Sequence, residues 1–115
     1  MPAYVVVEIS VHDVQTYERY KQLAPPSIAH YGGRYLVRGG ATEALEGTWQ
    51  PPRFALLEFP TIEQARAWWS SPEYAAAKAL RHASAHTMML LMDGLPQDDR
   101  HAVALAGASA ESSAP

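Results

Sequence analysis

The sequence predicts an α+β domain with the element order β-α-β-β-α-β and a four-stranded antiparallel sheet. Three observations carry this. The runs "AYVVVEISV", "RYLVR", "RFALLEFP" and "HTMMLLMDG" are short and mostly rich in β-branched, aromatic or other bulky apolar residues, as strands are. Two longer stretches repeat apolar residues every three or four positions, as helices buried on one face do. Glycine pairs and prolines punctuate the junctions.

The first strand runs from Ala3 to Val11. Asp13 can cap a helix in which Val14, Tyr17, Tyr20 or Lys21, Ala24 and Ile28 share a face. Pro25 and Pro26 cannot donate helical hydrogen bonds, so a break or kink is expected there. Gly32-Gly33 ends the helix, glycine being the cheapest residue at a left-handed cap. Arg34 to Arg38 form the second strand, and Gly39-Gly40 close it. "ATEALEGTWQPP" is long for a hairpin loop, which marks it for function. Arg53 to Pro60 form the third strand. Thr61 and Gln64 then have capping-box spacing, opening a helix expected to bury Ile62, Ala65 and Trp69. Ser71-Pro72-Glu73 restarts a helix through "EYAAAKALRHA", with Pro72 at its first position. His86 to Gly94 form the fourth strand. The order is that of a ferredoxin-like fold, a single domain over residues 1–96. Residues 97–115, rich in alanine and serine with few bulky apolar groups, read as a flexible tail.

Composition narrows the function classes. Of 115 residues, 48% are hydrophobic and 18% charged, an ordinary globular balance. A net charge of -3 argues against nucleic acid as a partner. The absence of cysteine excludes disulfides, thiolate metal sites and cysteine nucleophiles. The N-terminus lacks a basic leader and no segment is long enough to span a bilayer, so a soluble cytoplasmic protein without membrane partners is expected.

Alternation assigns the sheet faces. The first and third strands should lie centrally, parallel to each other. Val5, Val7 and Ile9 oppose Tyr4, Val6 and Glu8; Ala55, Leu57 and Phe59 oppose Phe54, Leu56 and Glu58; in the fourth strand Met88, Leu90 and Met92 oppose Thr87, Met89 and Leu91. Both sets are largely apolar, yet the helices cover one face only. A second copy packed sheet to sheet would cover the other, which predicts a homodimer. Glu8, Glu58 and an arginine fall on the face turned away from the helices. Antiparallel pairing should bring Arg34 near Glu58, and Arg34 and Arg38, four positions apart, are expected on one face. A structural ion pair would leave the same signature.

His30, in the last turn of the first helix, is a candidate general base, although a histidine there also complements the helix dipole. His82 and His86 have chelating spacing, but the helix should end near Ser84 and no third ligand is apparent, so no metal is expected. "GGRYLVRGG" flanks a strand with glycines and matches neither a dinucleotide fingerprint nor a phosphate loop. Arg34, Arg38 and Arg53 offer forks for a carboxylate. Trp68 and Trp69 are adjacent, so one of them must face away from the core.

"HYGGRYLVRGG", "LEGTWQPPRFALLEFPTIEQARAWWSSPEYAAAKALR" and "AYVVVEISVHD" together resemble the domain of unknown function family 1330 (DUF1330), in the dimeric α/β-barrel superfamily. The likeness spans roughly the first 95 residues, the whole domain. It implies a ferredoxin-like protomer that forms a dimeric α/β barrel, and brings no established activity. Neighbouring families include cofactor-independent monooxygenases and muconolactone isomerases, between which fold cannot choose. The expectation is a homodimer that binds or transforms a small organic or carboxylate ligand in a cleft between sheet and helices. As an enzyme it would use no cofactor and perform proton transfer or oxygenation. His30 would be the base, Arg38 or Arg34 the anion stabiliser and Glu58 the orienting carboxylate. Arg34, Tyr35, Arg53, Trp68 and Tyr74 would contact the ligand. The alternative is a non-catalytic ligand-binding or stress-related dimer.

Overall fold

The computed structural model describes residues 1–95; the tail expected over 97–115 lies outside the described residues. Strand β1 (Ala3–Val11) leads to helix α1 (Val14–His30), then β2 (Arg34–Arg38) and β3 (Arg53–Phe59). Helices α2 (Ile62–Trp69) and α3 (Pro72–Ser84) precede β4 (Ala85–Asp93). The sheet order is β2-β3-β1-β4 and every neighbouring pair is antiparallel. The ferredoxin-like order holds, but the expected parallel centre does not. The parallel partners are β1 and β2, joined through α1; β3, returning from β2 by a hairpin, is inserted between them and runs opposite to both.

The caps follow the sequence. Asp13 accepts from the Thr16 amide, Thr61 from that of Gln64 and Ser71 from that of Tyr74. Gly32, at φ 79°, carries the left-handed turn that ends α1. Helix α1 nevertheless runs unbroken through Pro25 and Pro26. Pro25 leaves the Lys21 carbonyl without its helical donor, and the Arg38 guanidinium supplies one at 2.9 Å. Tertiary contact thus stands in where the helix lacks a hydrogen bond.

The core lies between sheet and helices. Val5, Val7, Ile9, Ala55, Leu57 and Phe59 meet Tyr17, Ala24, Ile28, Ala65, Trp68, Tyr74 and Ala77 there. Trp68 rather than Trp69 is the buried member of its pair, because it continues the face begun by Ala65; Trp69 is 47% exposed, with Lys78 Nζ 3.8 Å from its ring centre.

Strand β2 breaks strict alternation. Arg34 pairs with Glu58 and Tyr35 with Leu57, but Val37 pairs with Leu56 and Arg38 with Ala55, so the register shifts at Leu36. One extra residue reverses the parity of Val37 and Arg38. Arg34 therefore faces away from the helices while Arg38 faces toward them, against the expectation that they share a face.

The face away from the helices carries Val6, Leu56, Met88, Leu90 and Met92, with Met88 and Leu90 71% and 61% exposed. Its charges are already satisfied: Arg34 Nε donates to Glu58 at 2.9 Å, and Trp49 Nε1, from the long hairpin loop, donates to Glu8 at 2.6 Å.

Candidate functional site

Two spaces remain under the helix layer. The larger, about 540 Å³, lies over β1 and β4 beneath α2 and α3, walled by Val5, Ala65, Trp68, Trp69, Met89 and Leu91. Its polar groups are Arg66, Ser70, Arg81, His82 and Thr87. The smaller, about 30 Å³, lies toward β3 and β2 among Tyr17, Tyr20, Tyr35, Arg38 and Arg53. Trp68 and Met89 border both. Apolar walls with a few convergent polar groups are the features of a ligand cleft.

Arg81 is the principal charge in the cleft. It is 3% exposed. It stands seven residues after Tyr74 on α3, two helical turns, so the two share a face. Its Nε donates to the Tyr74 hydroxyl at 3.2 Å, Nη1 to the Thr87 hydroxyl, and Nη2 to His82 Nε2 at 3.3 Å. Three of its five N–H groups are so engaged, all with neutral acceptors, and no carboxylate among the described residues balances the charge. The Tyr74 hydroxyl in turn meets that of Tyr20 at 3.1 Å, joining the two spaces by one chain of polar groups. Burial, aided by the coupling to Tyr74, pushes the Tyr20 phenol far above its ordinary value, so it stays protonated. Trp68 packs on the Tyr74 ring, 4.2 Å between centres, and donates to Ser27 Oγ at 3.1 Å, which fixes the wall they share.

His82 gains its chemistry from that neighbourhood. Partial desolvation, then the positive charges of Arg81 and Lys78, lower its pKa, so the ring is neutral at neutral pH. Because a guanidinium can only donate, its contact makes Nε2 the acceptor and places the ring proton on Nδ1.

In the smaller space the Arg38 guanidinium lies 4.5 Å from the Tyr35 ring centre and that of Arg53 5.2 Å from Tyr17. Burial pushes the Tyr35 phenol up to about 12, against the opposing effect of Arg38. Burial also raises Tyr17, which Arg53 opposes. The two β2 arginines part by face: Arg34, turned outward, is paired with Glu58, whereas Arg38, like Arg53 of β3 and Arg81 of α3, lies between sheet and helices with no carboxylate at ion-pair distance among the described residues.

The expected catalytic trio is not assembled. The His30 side chain is 61% exposed, 3.8 Å from Glu73 Oε2, and lines a depression between α1 and α3. Glu58 lies on the opposite sheet face, in a recess with Arg34 and Pro60. Arg38 alone of the three reaches the helix–sheet interior. Of the expected ligand contacts, Tyr35, Arg53 and Trp68 line the smaller space, Tyr74 lies behind Trp68, and Arg34 is outside. Sequence reasoning did not single out Arg81, or His82 as a base. The spacing of Arg81 from Tyr74 on an otherwise alanine-rich helix was the available signal. Among the described residues no group of three or more His, Cys, Asp or Glu could hold a metal ion, and no helix is long and apolar enough to cross a membrane.

Residues 2–95 match the family described as a domain of unknown function, DUF1330. No curated protein matches the chain. Among solved structures it is similar to the RPA0582 protein of unknown function from Rhodopseudomonas palustris, at 16% identity and TM-score 0.68 over 83% of each chain. It is also similar to SnoaB, a cofactor-independent oxygenase from Streptomyces nogalater (10% identity, TM-score 0.57, 84% of this chain and 95% of that one). A dimeric ferredoxin-like protein of unknown function from Jannaschia sp. CCS1 matches at 13% identity and TM-score 0.58, over 82% of this chain and 100% of that one. At these identities the likeness is one of fold.

Proposed function

The chain belongs to the DUF1330 family, and from that premise we propose that it is a homodimeric, cofactor-independent enzyme that moves a proton on a small organic anion held in the cleft between sheet and helices. The buried Arg81, facing a cleft with no carboxylate to balance it, is the observation that carries this reading. A buried cation is costly unless paired, and an anionic ligand supplies the pair.

The chemistry comes from the neighbours. His82 Nε2 takes a proton from a carbon next to a carbonyl group. The C–H electron pair moves into the new double bond, and the carbonyl oxygen becomes an enolate held by the free N–H groups of Arg81. Return of the proton to oxygen gives the enol, so no further reactant is consumed. A ligand anion that takes over Arg81 also releases His82 Nε2, whose contact at 3.3 Å is long. An oxygenation, the activity named for the Streptomyces nogalater protein, would begin from the same enolate.

Phenylpyruvate is a suitable probe, being an aromatic carboxylate with an acidic methylene. Its tautomerisation, followed by enol absorbance, is expected to be accelerated by the protein. The rate should rise with pH along a limb centred below 6.5, the ordinary histidine value, because the basic form of His82 is required and its pKa is lowered. His82→Gln should slow it about 100-fold or more. A rate equal to that without protein sinks the catalytic reading; tight binding without turnover would favour the non-catalytic one.

The uncovered apolar face supports the dimer, and the Jannaschia structure of the same fold is described as dimeric. Leu90→Asp places a charge in the middle of that face and should halve the mass measured by light scattering. A wild-type mass of one chain at micromolar concentration overturns the assembly.

A further inference from the structure

Arg38, Arg53 and Arg81 do not surround one point. Arg53 and Thr87 both pair with Ile9, from opposite sides of β1, so the three residues form one row across the sheet. Two antiparallel strand spacings separate the ends of that row, about 10 Å between backbones. Thr87 holds the Arg81 guanidinium at one end, in the large cleft. At the other end Arg53 and Arg38 rim the small cavity, each with one guanidinium face spent on a tyrosine ring. Ile9 stands in the row between the ends, and Trp68, fixed by its hydrogen bond to Ser27, and Met89 border both spaces. Methionine is the side chain best suited to move, having three rotatable bonds and no branch. The small cavity of about 30 Å³ holds one water-sized group, the size of a single carboxylate oxygen. A shift of Met89 would open it into the cleft.

We propose that the cleft and the small cavity are two ends of one site for an elongated dianion, an apolar organic diacid gripped by Arg81 at one end and by Arg53 and Arg38 at the other. This rests on the anion-binding reading above and adds to it the class of ligand. Two cationic ends with apolar walls between them disfavour a monoacid, whose second end would leave Arg53 and Arg38 unmatched. They also disfavour a compact anion such as inorganic phosphate, which cannot reach both ends.

Calorimetric titration of the full chain with naphthalene-2-carboxylate and naphthalene-2,6-dicarboxylate separates the possibilities. The diacid is expected to bind at least tenfold more tightly. Arg53→Gln should bring the diacid down to the affinity of the monoacid, and Arg38→Gln, at the more exposed guanidinium, should act in the same direction. Thermal melts establish that both variants are folded. Equal affinity for the two acids in the wild type, or an undiminished diacid advantage in both variants, overturns the dianion site while leaving the single-anion reading standing. Binding of neither acid overturns both.

Discussion

Replacing Arg81 by methionine is expected to weaken binding of naphthalene-2-carboxylate by roughly 30-fold to 5000-fold, the range spanned when one partner of a buried, hydrogen-bonded charge pair is removed. The neutral analogue naphthalene-2-methanol should lose far less, since the walls formed by Trp68, Trp69, Met89 and Leu91 remain. The same substitution should cost the unliganded protein little stability, and can raise it. Arg81 is buried with only neutral acceptors around it, and removing a charge from such a site relieves desolvation. The hydroxyls left behind are not stranded together, because that of Tyr74 keeps its contact with Tyr20. Affinity lost while stability is kept separates a ligand-binding arginine from a structural one. If the carboxylate binds the variant as it binds the wild type, the cleft is not an anion site. If urea unfolding instead shows a loss of several kcal/mol with affinity intact, Arg81 is a structural residue.

Gly33→Ala should destabilise the fold by about 1–3 kcal/mol, the usual cost of forcing atoms into a packed core. A Cβ at this position would stand 2.5 Å from Cε1 of Phe59 and 2.8 Å from two further ring carbons. Phe59 has no room to retreat: it is fully buried and packs against Trp68 with 5.3 Å between ring centres. Phe59→Leu shortens the obstacle at a cost of its own. The double variant is therefore expected to be more stable than the two single losses added together, by an interaction energy of about 1 kcal/mol. Strict additivity in urea unfolding would show that the backbone of Gly33 relaxes away and that the close approach is not required. The glycine pair thus has two separate duties, Gly32 for its left-handed turn and Gly33 for its proximity to the ring.

Most of the fold was legible in the sequence because its signals are local. Asp13, Thr61 and Ser71 act on amides three residues ahead, and β-branched runs commit to strands without knowing their partners. The uncovered apolar face could be read the same way, from alternation along β1, β3 and β4. The candidate site was read less well. Arg53, Tyr35 and Trp68, expected to contact a ligand, line a space beneath the helices, whereas His30 and Glu58, expected to act with Arg38, lie on two separate surfaces. His30 ends a helix whose rotation sets it on the outer surface beside Glu73. Glu58 follows the parity of its strand to the far face, where Arg34 already pairs with it.

The sequence by itself determined the elements, their caps, their order and the two-faced character of the sheet. Each of these is settled within a few residues by backbone hydrogen bonding and the period of the side chains. Only the tertiary structure decided the rest. It placed the register shift at Leu36 that turns Arg38 toward the helices, and the Arg38 contact that completes α1 at Pro25. It also buried Arg81 among neutral acceptors in the wall of a cleft. The physical reason is the same in each case. A guanidinium reaches far from its own backbone, so what it pairs with depends on chain segments distant in sequence, and the charge it leaves unbalanced is visible only once those segments have met.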